Sequence, residues 1–129
     1  MGDINKFFSR SEIACECGCG FDTIDWELLE VCTDVRLYFK QKMHFTSVCR
    51  CQPHNRYVAR KFGDMRLWVK IDASTHVQAK AADTWVAHVH ADDVAGYLEA
   101  RYPDKYGIGR YVGRTHIDVR KTKTRWDNR

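Results

Sequence analysis

Tyr106-Gly107-Ile108-Gly109-Arg110-Tyr111-Val112-Gly113-Arg114-Thr115-His116-Ile117-Asp118-Val119 is the stretch that decides the fold class. Two short β-prone runs, Tyr106–Val112 and Thr115–Val119, flank Gly113-Arg114, a pair suited to a turn, and so predict paired strands. Upstream, Val94, Leu98 and Tyr102 recur at helical spacing despite Gly96, which predicts a helix over Ala91–Tyr102 that Pro103 stops. Thr84–Val89 reads as a buried strand and Met43–Val48 as a shorter one. The clearest helix covers about 24–39, where Ile24, Leu28, Val31 and Val35 share a face behind Asp25 and Glu27. Ser9-Arg10-Ser11-Glu12 has the capping-box pattern and opens a turn or two of helix. Pro53 suits the first turn of a further helix through about Phe62, and residues 63–73 read as a hairpin arm or extended loop. Alternating βαβ units are missing, so the expected class is α+β: an antiparallel sheet with packed helices.

Length and composition agree with one domain. The chain has 129 residues, 44% of them hydrophobic and 29% charged, enough for a core without covalent staples. It holds no apolar run long enough to span a bilayer, and its first ten residues lack the apolar stretch of a secretory signal. Membrane insertion is therefore not expected. Formal net charge is +4, and residues 110–129 alone carry a net of +5. That end is expected to be a solvated basic tail, about 120–129, able to touch an anionic polymer. Trp26, Trp68, Trp85 and Trp126 are scattered rather than interleaved with the basic residues, which argues against specific nucleic-acid recognition.

Two segments carry candidate chemistry. The first is Ser74-Thr75-His76-Val77-Gln78-Ala79-Lys80-Ala81-Ala82-Asp83 and the second is Thr115-His116-Ile117-Asp118. His116 and Asp118, two apart on an expected strand, point to one face. A histidine and a carboxylate from the first segment with a histidine from the second form a mixed nitrogen and oxygen set of the kind zinc takes in catalytic sites. His88 and His90 alternate near a strand end, but His90 falls where a helix cap is expected, and neither is assigned a chemical role.

With these residues the chain resembles the M15-type zinc murein peptidases, the superfamily of D-Ala-D-Ala carboxypeptidases and L-alanyl-D-glutamate endopeptidases. It looks closest to the small branch found in phages and prophages. The likeness runs from about Phe7 to Arg120 and includes Phe8-Ser9-Arg10-Ser11-Glu12, Cys15-Glu16-Cys17-Gly18-Cys19-Gly20, Ser47-Val48-Cys49-Arg50 with His54-Asn55, and Gly107–Arg120. In the family pattern S-x-H-x-x-G-x-A-x-D, Ser74, His76, Ala81 and Asp83 agree, and Ala79 replaces the glycine. The resemblance implies a D-Ala-D-Ala carboxypeptidase (hedgehog-like) fold and a zinc ion held by His76, Asp83 and His116. It implies that Arg50 and Ser74 bind the substrate, with Arg50 facing its carboxylate or the developing oxyanion. The implied reaction is metal-assisted hydrolysis of a peptide bond in peptidoglycan stem or cross-link peptides.

Several positions depart from the family. The glutamate three residues before the last zinc histidine, or the histidine two before it, is replaced by Gly113 or Arg114. Asp118 is the nearest remaining carboxylate, read here as the catalytic base, with orientation of His116 from behind as its other role. Val58-Ala59-Arg60 stands in place of Val-Gly-Gly, Val48 and Cys49 replace a Gly-Tyr pair, and residues 61–73 lengthen the link to Ser74. That link is expected to be a lid, a partner surface or an insertion. A zinc fold that has lost catalysis and acts as a binding or structural module is the alternative function.

Six cysteines complete the reading. Cys32 is expected as a small buried hydrophobe on the first long helix, whereas Cys15, Cys17, Cys19, Cys49 and Cys51 are open to disulfides, a second metal or free thiols. The expected working form is a monomer, made in the cytoplasm and acting on the cell wall or periplasm after release, or carried in a virion.

Overall fold

The computed structural model describes residues 4–14, 24–48 and 80–129. The elements in chain order are α1 (Arg10–Ile13), α2 (Trp26–Phe39), β1 (Met43–Ser47), β2 (Ala81–Val86), α3 (Ala91–Arg101), β3 (Gly107–Tyr111), β4 (Arg114–Asp118) and β5 (Thr124–Asp127). The expected helix from Pro53, the segment 63–73, and Cys15, Cys17, Cys19, Cys49 and Cys51 lie outside the described residues.

Local chemistry sets the helix ends. At α1 the Ser9 backbone N–H donates to the Glu12 carboxylate at 2.8 Å, so the expected capping box forms and opens one short turn. Asp25 caps α2 by accepting from the N–H groups of Glu27 (2.9 Å) and Leu28 (3.4 Å). Lys40 closes that helix in the left-handed region (φ 56°), its N–H bonded to the Arg36 carbonyl. His90 caps α3, its Nδ1 accepting from the Asp92 N–H at 3.1 Å, which is the role the sequence reserved for that position.

The five strands form one sheet in the order β1-β2-β4-β3-β5. The first four are antiparallel neighbours, as expected, and β3 pairs with β4 across the turn at Gly113, where φ is 78°. β5 corrects the expectation of a wholly antiparallel sheet, since it pairs with β3 in parallel. It also corrects the basic tail: Thr124–Asp127 is an edge strand. The arginines of that end bond inward. Arg125 donates to the carbonyls of Tyr102 and Tyr106 at 2.7 Å each, Arg120 to Asp118, and Arg129 to Asp127 and Asp92. β2 begins three residues earlier than the sequence predicts and ends at Val86, because a turn with His88 at φ 64° intervenes before α3.

Helices cover one face of the sheet. Leu28, Val31, Cys32 and Val35 from α2, Val94, Ala95 and Leu98 from α3, and Phe8 and Ile13 around α1 close over Met43, Ala82, Val86, Ile108 and Ile117. Cys32 is fully buried there, as expected, and burial pushes its thiol up to about 12. Three tyrosines tie the layers: Tyr97 and Tyr102 donate to the two oxygens of Asp34 on α2 (2.9 and 3.0 Å), and Tyr106 donates to Glu27 at 2.7 Å. Since neighbouring strand residues alternate faces, Asp83, His116 and Asp118 project from the opposite side. Among the described residues, no helix is long and apolar enough to cross a membrane.

Candidate metal centre

The site is built on one row of the sheet. Asp83 on β2, His116 on β4, Gly109 on β3 and Trp126 on β5 are successive register partners, so their side-chain positions line up across four strands. Asp83 Oδ1 lies 3.0 Å from His116 Nδ1, and Asp118 Oδ2 lies 2.7 Å from His116 Nε2. The expectation that His116 and Asp118 share a face therefore holds, and the two side chains are in direct contact. Asp83 and His116 each make further interactions beyond these.

Asp118 is completely buried and saturated. Its Oδ1 accepts from the backbone N–H and Nε of Arg120 (3.2 and 2.7 Å), and its Oδ2 accepts from Arg120 Nη2 and from His116 Nε2 at 2.7 Å each. Burial alone would raise its pKa, but the hydrogen bonds from His116 and Arg120 outweigh burial and bring it down to about 2. His116 shows the reverse balance: burial disfavours its charged form, yet the bonds to Asp118 and Asp83 raise its pKa above the ordinary histidine value. A carboxylate on Nε2 fixes the ring so that Nδ1 faces Asp83.

Glycines make room for this arrangement. Gly107 and Gly109 occupy the site face of β3, where a side chain would sit beside Asp118 and His116 respectively. A Cβ on Gly107 would come within 2.6 Å of both Asp118 oxygens and within 2.8 Å of Arg120 Nε. The indole of Trp126 crosses over Gly109 and fills the space its missing side chain leaves. It lies 4.9 Å from the His116 ring, donates its Nε1–H to Tyr111 Oη at 2.8 Å, and has the Arg120 guanidinium 5.5 Å from its ring. Sequence reasoning passed over Trp126, Gly107 and Gly109. The period-two pattern Gly107-x-Gly109 opposite His116-x-Asp118 is the signal that finds the glycines.

An imidazole nitrogen and a carboxylate oxygen that face each other suit a divalent metal. Two ligands about 2.1 Å from a tetrahedral zinc stand about 3.4 Å apart, within a few tenths of an ångström of the Asp83–His116 spacing. Among the described residues, no group of three or more His, Cys, Asp or Glu side chains converges as a metal site. His76, Arg50 and Ser74 lie outside those residues. Glu99 on α3 is not part of the site; its carboxylate takes Arg110 at 3.1 and 3.2 Å.

No curated protein and no solved structure matches the sequence. A family model does, over residues 6–118, and its description is Peptidase M15. That span includes Asp83, His116 and Asp118 and covers most of the chain, so the protein belongs to the Peptidase M15 family.

Proposed function

We propose that this chain is a zinc-dependent hydrolase that cuts a peptide bond in the stem or cross-link peptides of peptidoglycan. The observation that carries the reading is the 3.0 Å approach of Asp83 Oδ1 to His116 Nδ1 from neighbouring strands of a Peptidase M15 chain. With His76 from the Ser74–Asp83 segment they make a nitrogen and oxygen ligand set that suits zinc. When bound, zinc polarises the scissile carbonyl and makes water nucleophilic near neutral pH. The chain's own residues do the rest. His116 is held in one orientation by Asp118, and Arg120 keeps Asp118 ionised. Arg50 and Ser74 are the substrate-binding residues in this reading, Arg50 for a substrate carboxylate or the oxygen that gains charge, a task suited to a guanidinium fork.

Of the two roles open to Asp118, its burial and its four accepted hydrogen bonds favour orienting His116 over taking a proton from water. The small phage and prophage branch, with action on the wall after release from the cytoplasm or from a virion, fits the reading. So does an anionic wall polymer as a secondary partner of the exposed Lys121 and Lys123.

A second reading is a zinc fold that binds without cutting. What favours it is Gly113 and Arg114 standing where a base is expected, with Asp118 already fully engaged. Metal content and muropeptide products of the native chain, His76→Ala and Asp118→Ala discriminate the two. Zinc in the native chain, lost in His76→Ala, together with new amine and carboxyl ends in the muropeptides supports the hydrolase. Zinc without cleavage supports the binding module, and a native chain that retains no zinc rejects both.

A further inference from the structure

The geometry points to Trp126 as a positioning residue for the metal ligand His116, a role that rests on the zinc reading above. Residues 119–129 follow the span that matches the family model, yet β5 carries its indole onto the site row.

Four side chains form a closed ring of contacts. His116 bonds to Asp118, Asp118 takes two bonds from the Arg120 side chain, Arg120 lies against the Trp126 ring, and Trp126 packs on His116. Asp118 and Asp83 hold the imidazole at its two nitrogens, and hydrogen bonds at the ring edge oppose tilting of the ring plane less than a contact on its face does. The indole at 4.9 Å blocks one direction of that motion and so helps to aim Nδ1 at Asp83. Trp126 is itself held from two sides. Its Nε1–H bonds to Tyr111 Oη, and it occupies the space that Gly109 leaves empty. Gly109 is thus required by the indole: a Cβ there would overlap the ring atoms and displace it. An exposed tryptophan merely filling a sheet edge would need neither the glycine nor the buried partner.

The test measures zinc affinity of the full chain by chelator competition, alongside the imidazole NMR signals of His116 in the metal-free protein and the thermal midpoint. Trp126→Ala and Gly109→Ala should each weaken zinc binding by about tenfold or more, the range for partners that orient a metal ligand. Both should shift the His116 resonances. Trp126→Phe keeps a ring against His116 and should restore most of the affinity, although it cannot donate to Tyr111. The double variant Gly109→Ala/Trp126→Ala should bind no more weakly than Trp126→Ala alone, because the added methyl group then has no indole to displace. Folded variants with native zinc affinity and unmoved His116 signals overturn the inference while leaving the zinc reading intact. Additive losses in the double variant also overturn it. A native chain that binds no zinc overturns both together.

Discussion

Asp83 and His116 are direct partners across the β2–β4 ladder, and their side chains meet at 3.0 Å on the sheet face opposite α2 and α3. Backbone pairing thus sets the spacing, and neither side chain reaches from a loop. A site placed this way is expected to persist without metal. Asp83→Asn keeps the shape of the side chain but makes it a neutral and much weaker ligand. Zinc content of Asp83→Asn should fall to near zero while its far-ultraviolet circular dichroism stays native. Retention of stoichiometric zinc would remove Asp83 from the ligand set.

Asp118 answers to a different measurement. Its burial and its pairing with both His116 and Arg120 mean that losing the carboxylate strands two donors. Removing one partner of a buried pair costs about 3 kcal/mol or more. Arg120 is partly exposed, so the loss for Asp118→Asn should sit at or below that figure. Urea unfolding reads the loss, and zinc affinity should fall with it. A variant that keeps native stability and affinity yet loses all turnover would return Asp118 to the role of base.

Gly107 offers an independent check on the same pair. A methyl group there would press on both Asp118 oxygens and on Arg120 Nε. Overpacking of this kind costs about 1–3 kcal/mol. Gly107→Ala should therefore lower the unfolding midpoint, whereas Gly113→Ala probes a different cost. Gly113 has open space around it but a φ of 78°, so only backbone strain opposes the methyl, and about 1 kcal/mol is expected.

Much of this architecture is written locally in the sequence. The 3–4 residue spacing along α2, the acidic cap at Asp25 and the alternation of His116 with Asp118 are all short-range signals, and each has its counterpart in the structure. β5 has no such signal. Its residues are mostly polar and charged, and its pairing with β3 is parallel, so its stability comes from contacts distant in sequence, such as Arg125 on the carbonyls of Tyr102 and Tyr106. Trp126 was illegible for a related reason: its place is set by an absence, the missing side chain of Gly109. The start of β2 at Ala81 follows from pairing with Asp118, which no window around Ala81 reveals.

Cys32 gives a prediction about reactivity. Its thiol is buried in the α2 core and pushed up to about 12 by burial, so almost none is thiolate at pH 8. Iodoacetamide at that pH should leave the peptide containing Cys32 unmodified in the folded chain and label it fully in urea, as read by mass spectrometry. Labelling in the native state at the rate of a free thiol would contradict the packing of α2. Cys32→Ser places a hydroxyl in that apolar core and should cost about 2 kcal/mol.

Alkaline pH tests the tyrosine ties between α2 and the α3–β3 region. Burial first, and then the hydrogen bonds to Asp34 and Glu27, raise the pKa values of Tyr97, Tyr102 and Tyr106. The folded chain therefore holds these protons more tightly than the unfolded chain, whose tyrosines titrate near about 10. Their stabilising contribution is complete below that pH and is lost as pH rises toward the folded-state values. Urea midpoints should accordingly change little on this account from pH 7 to 9 and fall steeply above about 10. Tyr106→Phe removes the bond to Glu27 and should cost about 1 kcal/mol at pH 7. The same variant should show a shallower alkaline decline than the native chain, since one of the three protons no longer has to be released. An equal decline in both proteins would mean that other groups, such as lysines, govern alkaline unfolding, and would detach these tyrosines from the pH response.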